Sequence, residues 1–140
     1  MPELREILYS LGQADARALR ARAADMDGTA IIREEYKIPE WSPDRDYSRQ
    51  PLGTPVRDQR QVWKLVQPYN AQHHPQHPAE LRAHWSLCHT RDPHRAKPWM
   101  DACGQSGLYM AGECYRAENG TVWRCRQDQT QYSAAALPAA

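Results

Sequence analysis

The chain has 140 residues, enough for one domain or two very small ones. Charged residues make up 25% and the formal net charge is +1, a balance that does not point to nucleic acid as a partner. No apolar run is long enough to span a membrane, and the N-terminus lacks the apolar core of a secretory signal.

The apolar inventory sets the next constraint. There is no Phe, but there are five Trp, seven Tyr and 11 Pro. Aliphatic residues thin out after Leu81, so any core in the second half must lean on aromatic rings. Small units built this way are hard to stabilise alone and call for neighbours, metals, disulfides or oligomerisation.

Residues 3 to about 25 read as helix. Leu4, Ile7, Leu11, Ala14, Ala18 and Ala21 recur at spacings of three and four, a heptad-like stripe. Pro2 suits a helix start, and Arg17, Arg20 and Arg22 lie toward the end that favours cations. Gly12 is the weak point, where the segment is open to splitting in two. The stripe has two readings: a face packed on its own domain, or a face that trimerises or docks into a partner. Asp27-Gly28 is a break. Thr29 to Tyr36, with Ala30-Ile31-Ile32, reads as a strand. Pro39, Pro43, Pro51 and Pro55 then exclude long regular structure. Val56 and the strand Val62–Val66 flank a polar hairpin turn over Asp58–Gln61. Residues 68 to 79 read as a Pro- and His-rich loop. Ala79–Leu87 reads as one helical turn or an extended closing segment, and residues 89 to 99 as loop. Glu113–Ala117 and Thr121–Arg126 form a hairpin around Asn119-Gly120.

The chain also contains a degenerate repeat. Gly53, Val62-Trp63-Lys64, Gln67 and Pro78 match Gly112, Val122-Trp123-Arg124, Gln127 and Pro138. Trp41 and Trp99 precede the glycines by twelve and thirteen residues. Two copies of one aromatic-rich unit suggest a binding or assembly module. The expected architecture is α+β: an N-terminal helical segment over 1–27, then two small antiparallel β-rich modules over 28–88 and 89–140. The second copy stops before any counterpart of Trp85, so the chain is expected to be truncated or to be the ordered part of a longer protein.

This order of Trp or Tyr, Gly, Val, turn, aromatic-basic strand, Gln and Pro before a closing Trp resembles the small chitin-binding modules of bacterial chitinases. It is more similar still to their relatives in phage and prophage virion proteins. The matching stretches, Trp41-Ser42-Pro43 through Trp85 and Trp99 through Pro138, cover roughly two thirds of the chain. The N-terminal helix also resembles the start of such phage proteins. The resemblance implies compact β units that bind carbohydrate or build virions, without catalysis. One departure stands out. The exposed aromatics that stack on sugar in the chitinase modules are replaced here by Gln67-Pro68 and Gln127-Asp128, with Tyr69 one step away.

Aromatic faces match the C–H patches of a pyranose, so Tyr69, Trp63, Trp85, Tyr132 and Trp123 are the candidate carbohydrate contacts, against the alternative that they are core. Leu4, Ile7, Leu11, Ala14 and Ala18 are the candidate oligomerisation residues. In the hairpin, Cys114 is expected opposite Cys125, within disulfide reach; a protein assembled in a reducing cytoplasm would instead keep both as buried thiols. His73, His74, His77, His84, His89 and His94 cluster near Cys88, but Pro75 and Pro78 interrupt any helix and no four-ligand spacing appears. No metal and no cofactor are therefore expected. Glu34-Glu35 and Asp44/Asp46 do not form a buried acid beside a nucleophile, so no enzymatic activity is expected. Arg57, Arg60 and Lys64, with Arg91, Arg95 and Lys97, form a basic patch that Asp44, Asp58 and Asp92 dilute. The expected function is a phage virion accessory protein of the tail, baseplate, fibre or capsid surface, assembled in the bacterial host cytoplasm. Its partners would be other virion proteins, further copies of itself (a trimer among the stoichiometries) and host-surface glycans, with neither membrane nor nucleic acid. The alternative is a carbohydrate-binding module for chitin-like or cell-wall polysaccharide.

Overall fold

The computed structural model describes residues 4–104 and 106–130. It is an α+β arrangement in which an N-terminal helix precedes two small three-stranded sheets. Helix α1 runs unbroken over Leu4–Arg22 and tightens into a 3₁₀ turn at Ala23–Asp25. Gly12 does not split it.

The segment expected as a strand from Thr29 is instead helix α2, Gly28–Arg33, followed by a 3₁₀ turn at Glu35–Lys37. Its β-branched residues suggested strand, but the capping chemistry decides otherwise. The Asp27 side chain accepts a hydrogen bond from the Ala30 amide at 2.8 Å and satisfies a helix-start donor. Ile31 and Ile32 are both fully buried, because α2 is wedged between the end of α1 and the first sheet. Glu34 ties the two helices together: Arg22 donates to it at 2.7 and 2.9 Å and Lys37 at 2.9 Å. The Arg22 and Lys37 bonds hold the Glu34 carboxyl down to about 2.

The first sheet has strand order β1 (Pro55–Asp58), β2 (Gln61–Leu65) and β3 (Trp85–Cys88), all antiparallel. The β1–β2 turn falls where the sequence placed it, with Gln59 and Arg60 at φ 52° and 66°. Positive φ at both central positions is what a two-residue hairpin needs. Side chains alternate between the faces. Val62 and Cys88 face α1 and α2, in a core with Leu19, Ala23, Ile31, Ile32 and Ile38. Val56, Trp63, Leu65, Trp85 and Leu87 face the other way, into a core with Trp41, Tyr47, Tyr69 and Ala71. Ala79–Leu87 combines both expected forms, with a 3₁₀ turn at Pro78–Glu80 preceding β3.

The second sheet has order β4 (Lys97–Pro98), β5 (Cys114–Arg116) and β6 (Val122–Arg124). Here β4 and β5 pair in parallel, not antiparallel as expected, and β5 and β6 antiparallel. The hairpin register is one residue off the sequence expectation. Gly120, at φ 86°, closes a turn in which its amide donates to Ala117, and Ala117 then pairs with Thr121. The extra loop residue puts Cys114 opposite Arg124 and not Cys125. All four cysteines are free thiols.

The two sheets share a main-chain frame. Gly53 donates to Leu65 at 2.7 Å and Gly112 to Cys125 at 2.8 Å. Leu65 donates to Thr54 and Cys125 to Glu113, each at 2.9 Å. Trp41 donates to Arg57 at 2.9 Å and Trp99 to Arg116 at 3.2 Å. The hydroxyl of Tyr47 accepts from the Ser42 amide at 3.1 Å, and that of Tyr109 from the Met100 amide at 3.4 Å. Gly53 and Gly112 have φ of 89° and 88°, so both positions need glycine for backbone reasons.

Their surroundings differ, which yields a paired expectation. A Cβ at Gly53 would lie 2.6 Å from the Ala24 Cα, whereas at Gly112 the nearest atom is the Arg91 side chain at 3.6 Å. Gly112→Ala should cost roughly 1–2 kcal/mol of backbone strain. Gly53→Ala should cost that plus roughly 1–3 kcal/mol for forcing the 3₁₀ turn after α1 away from residue 53. Urea melts of the two variants check this ordering; equal losses would contradict the close approach.

Candidate functional site

Helix α1 contributes almost nothing of its N-terminal two thirds to the core. Only Ala16 and Leu19 are buried, and Ala23 just beyond. These lie on one face at spacings of three and four. The heptad-like stripe lies on another: Leu4, Ile7, Leu11, Ala14 and Ala18 are all exposed. Leu8, 58% exposed, joins them one turn after Leu4. It was missed by a strict heptad reading, although its spacing of four from Leu4 was visible. Packing on its own domain is therefore excluded for this stripe, because the docked face is a different one.

The candidate sugar-contacting rings divide by burial. Trp63 and Trp85 are fully buried and Tyr69 is 6% exposed, so as contacts for a glycan these three are corrected. They form the centre of the first core, with Val56, Leu65 and Leu87 packed around them. The Tyr69 hydroxyl accepts from Trp85 Nε1 at 2.8 Å and from Trp41 Nε1 at 3.2 Å. The Tyr69 ring also packs against His84 in a tilted arrangement, with centroids 4.5 Å apart. The Arg82 guanidinium covers the Trp63 ring at 5.0 Å. Trp123, by contrast, is 46% exposed on β6. Tyr132 and Pro138 lie outside the described residues.

The second core is a ring stack. Tyr109 sits between His89, at 3.6 Å, and Trp99, at 4.4 Å, with Tyr115 meeting Trp99 edge-on at 4.8 Å. His89 immediately follows β3, so the stack fastens the second module to the first sheet. Its Nε2 donates to the Gly107 carbonyl at 2.8 Å, which fixes the tautomer. Burial pushes the His89 imidazole down to about 4.

The remaining histidines do not converge. His77 pairs with Asp58 at 2.8 Å, and His84 Nδ1 meets the Gln67 carbonyl at 3.0 Å. Among the described residues no three His, Cys, Asp or Glu side chains are grouped to hold a metal ion. Burial pushes the Cys88 thiol up to about 12, far from the thiolate that nucleophilic chemistry needs. Among the described residues no helix is long and apolar enough to cross a membrane.

Compared with protein-family models, curated proteins and solved structures, the chain matches none.

Proposed function

We propose that this chain is a non-enzymatic accessory protein of a phage virion, self-associating through α1 and presenting its β modules to neighbouring virion proteins or host-surface glycans. The observation that carries the assembly half is the unpartnered apolar stripe of α1. Leu4, Ile7, Leu8 and Leu11 are 70%, 43%, 58% and 58% exposed on a helix whose docked face lies elsewhere. Burying one such side chain stabilises by about 1.5–3 kcal/mol. The spacings of three and four match what a second copy of the same helix offers, which is why the occupant proposed is another copy of the chain. The virion setting rests on the resemblance of the repeated units.

Light scattering on the purified chain tests this reading. A defined oligomer is expected, and Leu11→Asp should weaken association at least tenfold, because an unpaired carboxylate would be buried in the helix contact. The protomer's own fold should persist by circular dichroism, since Leu11 takes no part in the chain's own core. A monomeric wild-type chain would remove the assembly role. The second reading, a carbohydrate-binding module, draws support from the exposed ring of Trp123. Retention of a monomer on chitin beads would favour it.

A further inference from the structure

Between the two modules lies an open cleft of about 850 Å³, the size that accommodates a small organic ligand. Its walls are the β1–β2 hairpin from Arg57 to Gln61, the segment from His94 to Pro98, and Arg116 of β5, with Glu35, Glu40 and Trp41 at the margin. Of the basic residues that stand out in the sequence, Arg57, Arg60, Arg95 and Lys97 line the cleft, whereas Lys64 and Arg91 do not.

Of the three carboxylates in the cleft, one is neutralised by cations and one is hydrogen-bonded to a histidine. Glu35 is in close contact with Lys97 and 3.8 Å from Arg95, and Asp58 pairs with His77 at 2.8 Å. Arg57 donates through Nε to the Ile38 carbonyl at 2.7 Å, which holds the side chain without neutralising it. Among the described residues, Arg57, Arg60 and Arg116 make no ion pair, and the carboxylates left to oppose them are those of Glu40 and of Asp58, whose His77 partner is a cation only when protonated. Three arginines from two modules thus line the cleft without ion-pair partners, in excess of the two carboxylates that oppose them.

The buried side of the cleft adds a second kind of recognition. Gln61 is 2% exposed, and its Nε2 donates to the Pro98 carbonyl at 2.6 Å. That bond fixes the orientation of the amide, so Oε1 is the acceptor, and it is buried without a donor. Native proteins rarely leave such an acceptor unsatisfied. A ligand that answers both features carries an oxyanion for the arginine forks and a hydroxyl for the amide oxygen. The largely polar lining suits a hydroxyl-rich molecule better than an apolar one.

We propose that this cleft binds an anionic saccharide, with its carboxylate or phosphate held by Arg57, Arg60 and Arg116 and a hydroxyl donating to Gln61 Oε1. This deepens the surface-contact role proposed above and rests on it, but does not depend on association through α1. Isothermal titration of the full chain and of its Leu11→Asp variant keeps the two apart, because one is read as binding and the other as mass. The probes are a galacturonate trimer, glucose 6-phosphate, inorganic phosphate and the neutral chitin trimer. One of the two acidic sugars is expected to bind at one site per chain, more weakly at high salt. The tighter of the two identifies the anion as carboxylate or phosphate. The Arg60→Glu, Arg116→Glu double variant should lose at least tenfold in affinity; both residues are exposed, so the melting temperature should hold. Arg116→Gln, which removes charge without reversing it, should give a smaller loss of the same sign. The proposal is overturned if the neutral trimer binds as tightly as the acids, if inorganic phosphate matches glucose 6-phosphate, if no probe binds, or if the variants bind like the wild type.

Discussion

Tyr69→Phe, the loss of one oxygen atom, should lower the melting temperature by about 10 °C. The Tyr69 hydroxyl is the shared acceptor of two indole N–H groups, from Trp85 and Trp41. Trp85 is fully buried and Trp41 is 7% exposed, so water replaces neither bond readily. Each unsatisfied buried donor costs about 1–3 kcal/mol. Together they cost about 2–6 kcal/mol, and in a small domain each kcal/mol lowers the melting temperature by several degrees. Tyr36→Phe is the control: Tyr36 is 72% exposed, and its loss should stay within about 0.5 kcal/mol. Calorimetry of both variants checks the contrast. A Tyr69→Phe protein that melts like the wild type but loses retention on glycan would return Tyr69 to the surface and revive it as a sugar contact.

The second large effect is acid lability centred on His89. Its folded-state value is depressed to about 4 by burial, with Arg82 adding repulsion and the Gly107 bond partly opposing, while the unfolded chain titrates near the ordinary 6.5. Between these values the unfolded chain binds the additional proton. The contribution of the neutral ring is thus fully present above pH 6.5, declines as pH falls toward 4, and is lost below that. The full amplitude is about 3 kcal/mol, since each unit corresponds to 1.36 kcal/mol. Glu34 adds a loss at lower pH, as the carboxyl held near 2 by Arg22 and Lys37 becomes protonated. Glu113, whose carboxyl is raised by burial, acts in the opposite sense and gains stability on protonation. Comparing wild type with His89→Gln by urea unfolding at pH 7 and pH 4 isolates the imidazole, because both carboxyl effects are common to the two proteins. The wild type should lose about 3 kcal/mol more than the variant over that interval. A wild-type imidazole that titrates near 6.5 in an NMR pH series would show that the Tyr109 stack does not bury it.

Much of the local structure was legible in the residues themselves. The alternation of apolar positions from Leu4 gave α1, and the polar Asp58–Gln61 turn between Val56 and Val62 gave the first hairpin. Asn119-Gly120 gave the second. The paired glycines and Val-Trp-basic triplets marked two units whose hydrogen bonds around Gly53 and Gly112 coincide within a few tenths of an ångström. These signals are short-range, set by backbone sterics and side-chain periodicity. Where competing local signals met, the weaker one misled: Ile31-Ile32 suggested strand, while the Asp27 cap and the close approach of Gly28 to the His89 backbone produced a helix. The cleft was legible only in part. Its arginines stood out, but nothing in sequence separated the three unpaired ones from those neutralised by Glu35 or Asp92.

Burial belongs to tertiary structure alone, and the two triplets demonstrate why. Val62-Trp63-Lys64 and Val122-Trp123-Arg124 are locally equivalent, each opposite the middle of a preceding strand, Val56 facing Trp63 and Tyr115 facing Trp123. Yet Trp63 is fully buried and Trp123 is 46% exposed. Strand β2 is flanked by β1 and β3, with Trp85 and Leu87 closing over the ring, whereas among the described residues β6 has no strand on its outer side. The sequence by itself determined that a helix would precede two related β units and that rings would carry the packing. Which rings became core and which face of α1 stayed open was decided by neighbours distant in the chain, whose arrival no local pattern encodes.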